Sequence, residues 1–190
     1  MKIAVIFGGA SDEYAVSLLS AAAVLSAFDR ETYEPIAIGI TKNGAWLYTK
    51  ATPAEIARDA WAAEGVPCLL SPDPTRRGFF LADGRHILPD LIFPLTHGGA
   101  GEDGRMAGLF SLSGIPFLGA VTEGAALAMN KAAAKRVARE VGVPTLPHVI
   151  ASDKNPAYAR RAARTLGYPL FVKPLHGGSS VGAGLVHKEF

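Results

Sequence analysis

The sequence predicts an α/β fold on a mostly parallel sheet, and three observations lead there. A continuous apolar run at residues 3–7 and a mainly apolar one at 88–95 have the composition of buried strands. Both lead into glycine pairs, Gly8-Gly9 directly and Gly98-Gly99 after Thr96-His97, which mark turns leaving a strand. Strand-like and helix-like segments alternate up to about residue 120, the order that βαβ units require.

In chain order, the first strand passes into Gly8-Gly9-Ala10-Ser11, a turn leading to a helix capped by Ser11 or Asp12. Over residues 15–28, Val16, Leu19 and Ala23 share one helical face. Residues 33–40 read as the second strand, and 46–48, with Gly39 and Gly44 before it, suggests a small hairpin. Residues 53–63 read as helix. The stretch 67–85 is rich in Pro and Gly, and 79–81 before Asp83-Gly84 reads as a hairpin arm. After the strand at 88–95, residues 105–112 read as a short helix and 115–118 as a short strand. A second unit opens with one Ala-rich helix over 123–141, closed by Gly142 and Pro144. A strand at 145–150, a helix at 155–166 ended by Gly167, and a strand at 170–173 follow. A glycine loop and a returning strand at 183–187 complete the series.

Composition narrows the function. Apolar residues make up 49% and charged residues 19% of 190, the balance of a globular chain that buries roughly 70% of its unfolded surface. A net charge of +2 is too small for an electrostatic footprint on nucleic acid. No apolar run approaches the roughly 20 residues of a membrane span, and the N-terminal run reads as a strand rather than a secretion signal. Cys68 stands alone, so neither an internal disulfide nor a cysteine zinc site is expected. The histidines at 86, 97, 148, 176 and 187 lack metal-ligand spacing, and no metal site is expected. The sum fits a cytoplasmic protein with neither nucleic acid nor membrane as partner.

The chemistry concentrates in Phe171-Val172-Lys173-Pro174-Leu175-His176-Gly177-Gly178-Ser179-Ser180-Val181-Gly182. Glycines let backbone N–H groups approach an anion, hydroxyls add donors, and lysine supplies counter-charge. A generic Gly-Ser loop is usually a hairpin turn, but the preceding Lys-Pro and the density of hydroxyl and backbone donors argue otherwise; it is not a Walker A loop, since no lysine follows the glycines. Lys131, on a helix after Ala128-Met129-Asn130, and Lys173 could meet a triphosphate from different directions. His97-Gly98-Gly99-Ala100-Gly101-Glu102-Asp103-Gly104 follows a buried strand, where ligand sites of α/β sheets gather. Glu13 at a helix start complements the helix dipole, or alternatively holds a substrate ammonium.

Four segments together resemble the D-alanine–D-alanine ligases of the ATP-grasp superfamily. They are Phe7-Gly8-Gly9-Ala10-Ser11-Asp12-Glu13 with Val16-Ser17-Leu18, the His97-to-Gly104 motif, Ala128-Met129-Asn130-Lys131, and Val172-Lys173-Pro174 with Gly178-Ser179-Ser180-Val181-Gly182. The resemblance implies a Rossmann-like parallel-sheet N-terminal domain over 1–119 and an incomplete ATP-grasp central domain over 120–190. It implies that ATP phosphorylates one D-alanine and that a second attacks the acyl phosphate, giving the dipeptide for peptidoglycan. Glu13 would hold the first substrate's ammonium and form a catalytic network with Ser179, while His97 would lie near that substrate's carboxylate. Lys131 and Lys173 would grip the phosphates, with Gly178, Ser180, Val181 and Gly182 as their cover.

The family also implies Mg2+ or Mn2+ held by ligands outside this chain, and a homodimer. Because the chain stops eight residues after Gly182, the piece alone is expected to be inactive. Tyr14-Ala15, Ala107 and Asn130 depart from the family pattern. They keep a second reading open, another ATP-grasp carboxylate–amine ligase. A third reading is a non-catalytic nucleotide-binding domain.

Overall fold

A computed structural model describes residues 1–188, which divide into two compact units, Met1–Ala126 and the chain from Leu127 onward. The first unit contains β1 (Lys2–Gly8), α1 (Tyr14–Ala27), β2 (Glu34–Ile40), β3 (Trp46–Thr49), α2 (Pro53–Ala57) and β4 (Val66–Leu70). It continues with β5 (Phe79–Leu81), β6 (His86–Ile87), β7 (Leu91–Pro94), a 3-10 turn at Gly99–Gly101 and α3 (Arg105–Ser113).

Seven strands form one sheet in the order β6-β5-β4-β3-β2-β1-β7. The predicted parallel part is one end of this sheet: β1 pairs in parallel with both β2 and β7, Val5 lying opposite Ala37 and Phe93. The arm from β2 out to β6 is antiparallel throughout. β1 has a paired strand on each side and is covered on both faces, so its interior is apolar without alternation. Ile6, Ile38, Ile92 and Phe110 pack on one side, and Val5, Phe7, Leu18 and Trp61 on the other. Each large side chain so buried contributes about 1.5–3 kcal/mol of transfer free energy.

Several local expectations change. Glu13, rather than Ser11 or Asp12, is the N-cap of α1. The buried face of α1 is Tyr14, Ser17, Leu18, Ala21, Ala22 and Leu25, while Val16, Leu19 and Ala23 face outward. This helix is apolar nearly all round, so hydrophobicity alone does not identify its inner side, which in the fold carries the buried Ser17 bonded to the Gly8 N–H and the Leu95 carbonyl. The helix expected to reach residue 63 stops at Ala57, because Asp59 adopts a left-handed conformation at φ 60°. That turn sends Trp61 inward to near-complete burial. Residues 115–118 contribute a single bridge, Ile92 to Phe117, rather than a strand.

The helix expected over 123–141 is two helices, α4 (Thr122–Met129), within which the division between the units falls, and α5 (Lys131–Glu140) of the second unit. Asn130 separates them with extended backbone, and its Oδ1 accepts from the Ala133 N–H at 3.0 Å, an N-cap in mid-pattern. α6 (Pro156–Leu166), capped by Asn155, is followed by β8 (Leu170–Val172) and β9 (Gly184–Val186), an antiparallel pair across the glycine loop. Residues 145–150 form no strand, since no ladder partner reaches them among the described residues. Ala132 and Ala162 are this unit's buried apolar residues among those described, and the β8 residues Phe171 and Val172 are exposed.

Candidate functional site

Parallel pairing of β1 with β7 sets two glycine loops side by side at the C-terminal edge of the sheet, the position where α/β ligand sites form. Ser17 fixes them from below. Its buried Oγ accepts from the Gly8 N–H at 2.7 Å and donates to the Leu95 carbonyl at 2.6 Å, tying both strand ends to α1. Ser11 Oγ accepts from the Glu13 N–H at 3.2 Å and donates to the His97 carbonyl at 2.6 Å, joining the loops directly. The two predicted residues Glu13 and His97 are thereby brought to one place. Gly98 sits at φ 66°, and a Cβ there would stand 3.0 Å from Glu13 Oε1, so glycine is what lets the carboxylate lie against this loop.

The His97 ring is hydrogen-bonded on one side and faces a carboxylate on the other: Nε2 is 3.0 Å from Ser20 Oγ and Nδ1 is 3.9 Å from Glu102 Oε1. Asp103 faces Arg105 at 2.6 Å, and the hydrogen bond from that guanidinium holds its carboxyl below the usual range. A cleft of about 170 Å³ is lined by Gly9, Ser11, Trp46, Thr96, His97 and Gly101. Thr96 Oγ1 is the one buried side-chain polar atom without a protein partner among the described residues, and it lies at this cleft. Such a volume suits a small polar molecule rather than the 300–1,000 Å³ typical of larger ligands.

A wider hollow of about 550 Å³ lies between the first half of α1 and the end of α2, lined by Tyr14, Leu18, Lys42, Ala57 and Asp59. There the Tyr14 hydroxyl donates to Asp59 at 2.6 Å and accepts from the Trp61 indole at 3.1 Å. Burial, and then the bond to Asp59, push the Tyr14 phenol up to about 12.

In the second unit, the break at Asn130 places Lys131 at the start of α5. Its Nζ donates to the Gly177 carbonyl at 2.7 Å and its backbone N–H to Leu175 O at 3.1 Å. The Gly177 N–H donates to Met129 Sδ at 3.2 Å. Beyond this stem the loop turns twice, Val181 N–H to Gly178 O and Ala183 N–H to Ser180 O. Ser179, Ser180 and Gly182 all have left-handed backbone, at φ 45°, 59° and 70°. A Cβ on Gly182 would stand 2.9 Å from Pro174 Cγ. Lys173 Nζ lies 5.6 Å above the Phe171 ring centre instead of on the loop. Lys131 is thus joined to the glycine loop and Lys173 stands at its entrance.

Sequence reasoning missed Ser20 and Met129 as partners of these segments. For Ser20 the only signal was its i, i+3 spacing from Ser17. Among the described residues no three His, Cys, Asp or Glu side chains converge on a cation site.

Comparison with known proteins follows the same outline. Residues 2–120 match the family described as D-ala D-ala ligase N-terminus, and residues 137–189 match D-ala D-ala ligase C-terminus. The D-alanine–D-alanine ligase of Thermoanaerobacter sp. (strain X514) is 39% identical over 194 residues, covering 99% of this chain and 54% of that protein. The vancomycin B-type resistance protein VanB of Enterococcus faecalis is 38% identical over 192 residues, covering 98% and 53%. The crystal structure of VanG D-Ala:D-Ser ligase from Enterococcus faecalis superimposes with a TM-score of 0.89 at 38% identity, covering 99% of this chain and 56% of that one. The D-alanine–D-alanine ligase of Helicobacter pylori gives 0.84 at 30% identity, covering 100% and 57%. The chain spans about half the length of the curated relatives it matches.

Proposed function

This chain belongs to the D-alanine–D-alanine ligase family, and from that membership we propose that it carries substrate-binding and phosphate-gripping parts of an ATP-dependent ligase. The whole protein would join two D-alanines for peptidoglycan synthesis in the cytoplasm, as a homodimer. We set the boundary between its N-terminal and central domains near Gly119. The carboxylate oxygen of one D-alanine attacks the γ-phosphorus of ATP, releasing ADP. The amine of the second then attacks the acyl carbon, releasing phosphate and a proton as the peptide bond forms.

Glu13 is assigned to the first D-alanine's ammonium, a carboxylate at hand beside a cleft sized for a small amino acid. His97 is assigned to that substrate's carboxylate. Lys131 and Lys173 are assigned to the phosphates, the glycine loop with Gly178, Ser180, Val181 and Gly182 to their cover, and Ser179 to a catalytic hydroxyl. An acyl phosphate hydrolyses unless water is excluded, which is the chemical need a closing loop meets. Mg2+ or Mn2+ would neutralise phosphate charge. The described residues offer no cluster to hold it, so its ligands are assigned to the part of the relatives that this chain does not span.

The observation that supports this reading is Lys131 Nζ on the Gly177 carbonyl, a cation held at the glycine loop that we assign to the phosphates. Titration calorimetry of ATP into the chain tests it. Charge-assisted contacts are worth about 1.5–3 kcal/mol, so Lys131→Ala and Lys173→Ala should each weaken binding by roughly 10- to 100-fold. ATP affinity unchanged in both variants would overturn the assignment.

A second substrate reading has its own support. Tyr14, Ala15 and Ala107 depart from the family pattern, and one of the matching structures is described as a D-Ala:D-Ser ligase. A panel of second substrates decides it: strict D-alanine use in both positions removes this reading.

A further inference from the structure

The His97 ring at the cleft has a partner near each nitrogen, one of them from α1. A serine inside a helix commonly returns its hydroxyl to the carbonyl four residues earlier, as Ser26 does to Ala22 O at 2.7 Å. Ser20 does otherwise: its Oγ lies 3.0 Å from His97 Nε2. A hydroxyl both donates and accepts, so this contact alone allows either tautomer. Glu102 biases the choice, and the Ser20 hydrogen bond completes it. The Glu102 carboxylate lies 3.9 Å from Nδ1, close enough to favour a proton on that nitrogen and to repel a bare lone pair there. With Nδ1 protonated, Nε2 is the acceptor and Ser20 the donor. Ser11 holds the His97 carbonyl at 2.6 Å, so backbone and ring are fixed together.

We infer that Ser20 is a positioning residue that, with Glu102, holds His97 as its Nδ1–H tautomer at the edge of the cleft. Ser20 does not touch the substrate; it acts through the imidazole. A ring locked in this way meets a ligand in one orientation, without the entropy loss of ordering a free side chain on binding. The inference rests on the reading of His97 as a substrate-side residue, and its test separates the two.

Long-range proton–nitrogen NMR of the 15N-labelled chain reads the tautomer, at a pH where free imidazole is neutral. The His97→Asn spectrum assigns the signal among the five histidines. The expected result is a single unprotonated Nε2 in the native chain, a mixture of tautomers in Ser20→Ala, and recovery in Ser20→Thr. Glu102→Gln should also give a mixture. Losing a neutral hydrogen bond of about 0.5–1.5 kcal/mol should weaken D-alanine binding in Ser20→Ala by roughly 2- to 10-fold. An Nε2–H tautomer in the native chain overturns the inference, as does a Ser20→Ala spectrum unchanged from native. A native His97 signal that ignores added D-alanine would instead remove the substrate reading and leave the tautomer result standing.

Discussion

Ser17 holds the N-terminal unit's two loop-bearing strands through one hydroxyl, buried between the Gly8 N–H and the Leu95 carbonyl. Ser17→Ala strands both backbone groups away from water, at about 1–3 kcal/mol for each group left unpaired. Urea unfolding of the N-terminal unit should therefore show a loss of at least about 2 kcal/mol. A change within about 0.5 kcal/mol, the range of an ordinary surface substitution, would show that other bonds set these ends. Tyr14 makes a prediction at alkaline pH. Its phenol is raised from 10.0 to about 12, so the folded state binds the proton more tightly than the unfolded one. That stabilisation is complete below about pH 10 and is lost as pH rises through about 12. Stability measured from about pH 9 to 12 should fall less steeply in Tyr14→Phe than in the native chain, and equal slopes would contradict the assignment.

At the scale of elements, the α4–α5 break is the most consequential departure from the sequence pattern. Alanine-rich composition on both sides of Asn130 reads as one helix, because a cap signal inside a helical pattern is indistinguishable from an exposed asparagine. The break aims Lys131 at the loop, so cap and site are linked. Asn130→Ala should cost about 1 kcal/mol and Asn130→Asp very little, measured by thermal unfolding of the second unit. A stabilising Asn130→Ala would mean that the two helices prefer to join. β1, β7 and both glycine loops were legible because buried parallel strands and their turns carry strong local patterns. The antiparallel arm beyond β2 was only partly legible. β4 lies within a Pro-rich stretch and takes its register from Tyr48 opposite Val66 and Leu69 opposite Phe80, pairings that no local pattern encodes. The motifs singled out Glu13 and His97, whose loops the sheet sets side by side. Their shared support in Ser11, Ser17 and Ser20 was not legible, since serines on an apolar helix carry no signal until the strands they meet are known.

For the whole molecule, core and charge are distributed unevenly. The large buried side chains lie in the unit Met1–Ala126, whereas Ala132 and Ala162 are the buried apolar residues described in the other. Charge divides as well. Residues 127–190 carry ten Lys and Arg against three Asp and Glu, while the first 126 carry nine against fourteen. A small core with a surplus of seven like charges predicts two thermal transitions, the weaker from the second unit and moving upward with salt. A single salt-independent transition would contradict this. The family account makes the most demanding claim at this scale. It is tested by ADP and dipeptide formation from ATP and D-alanine, for this chain and for one completed to the length of its relatives. The account predicts equal amounts of ADP and D-alanyl-D-alanine from the longer chain, lost in Glu13→Gln and Lys173→Ala, and no turnover by the 190-residue chain. Turnover by the short chain, or a longer chain whose ADP release ignores D-alanine, would contradict it.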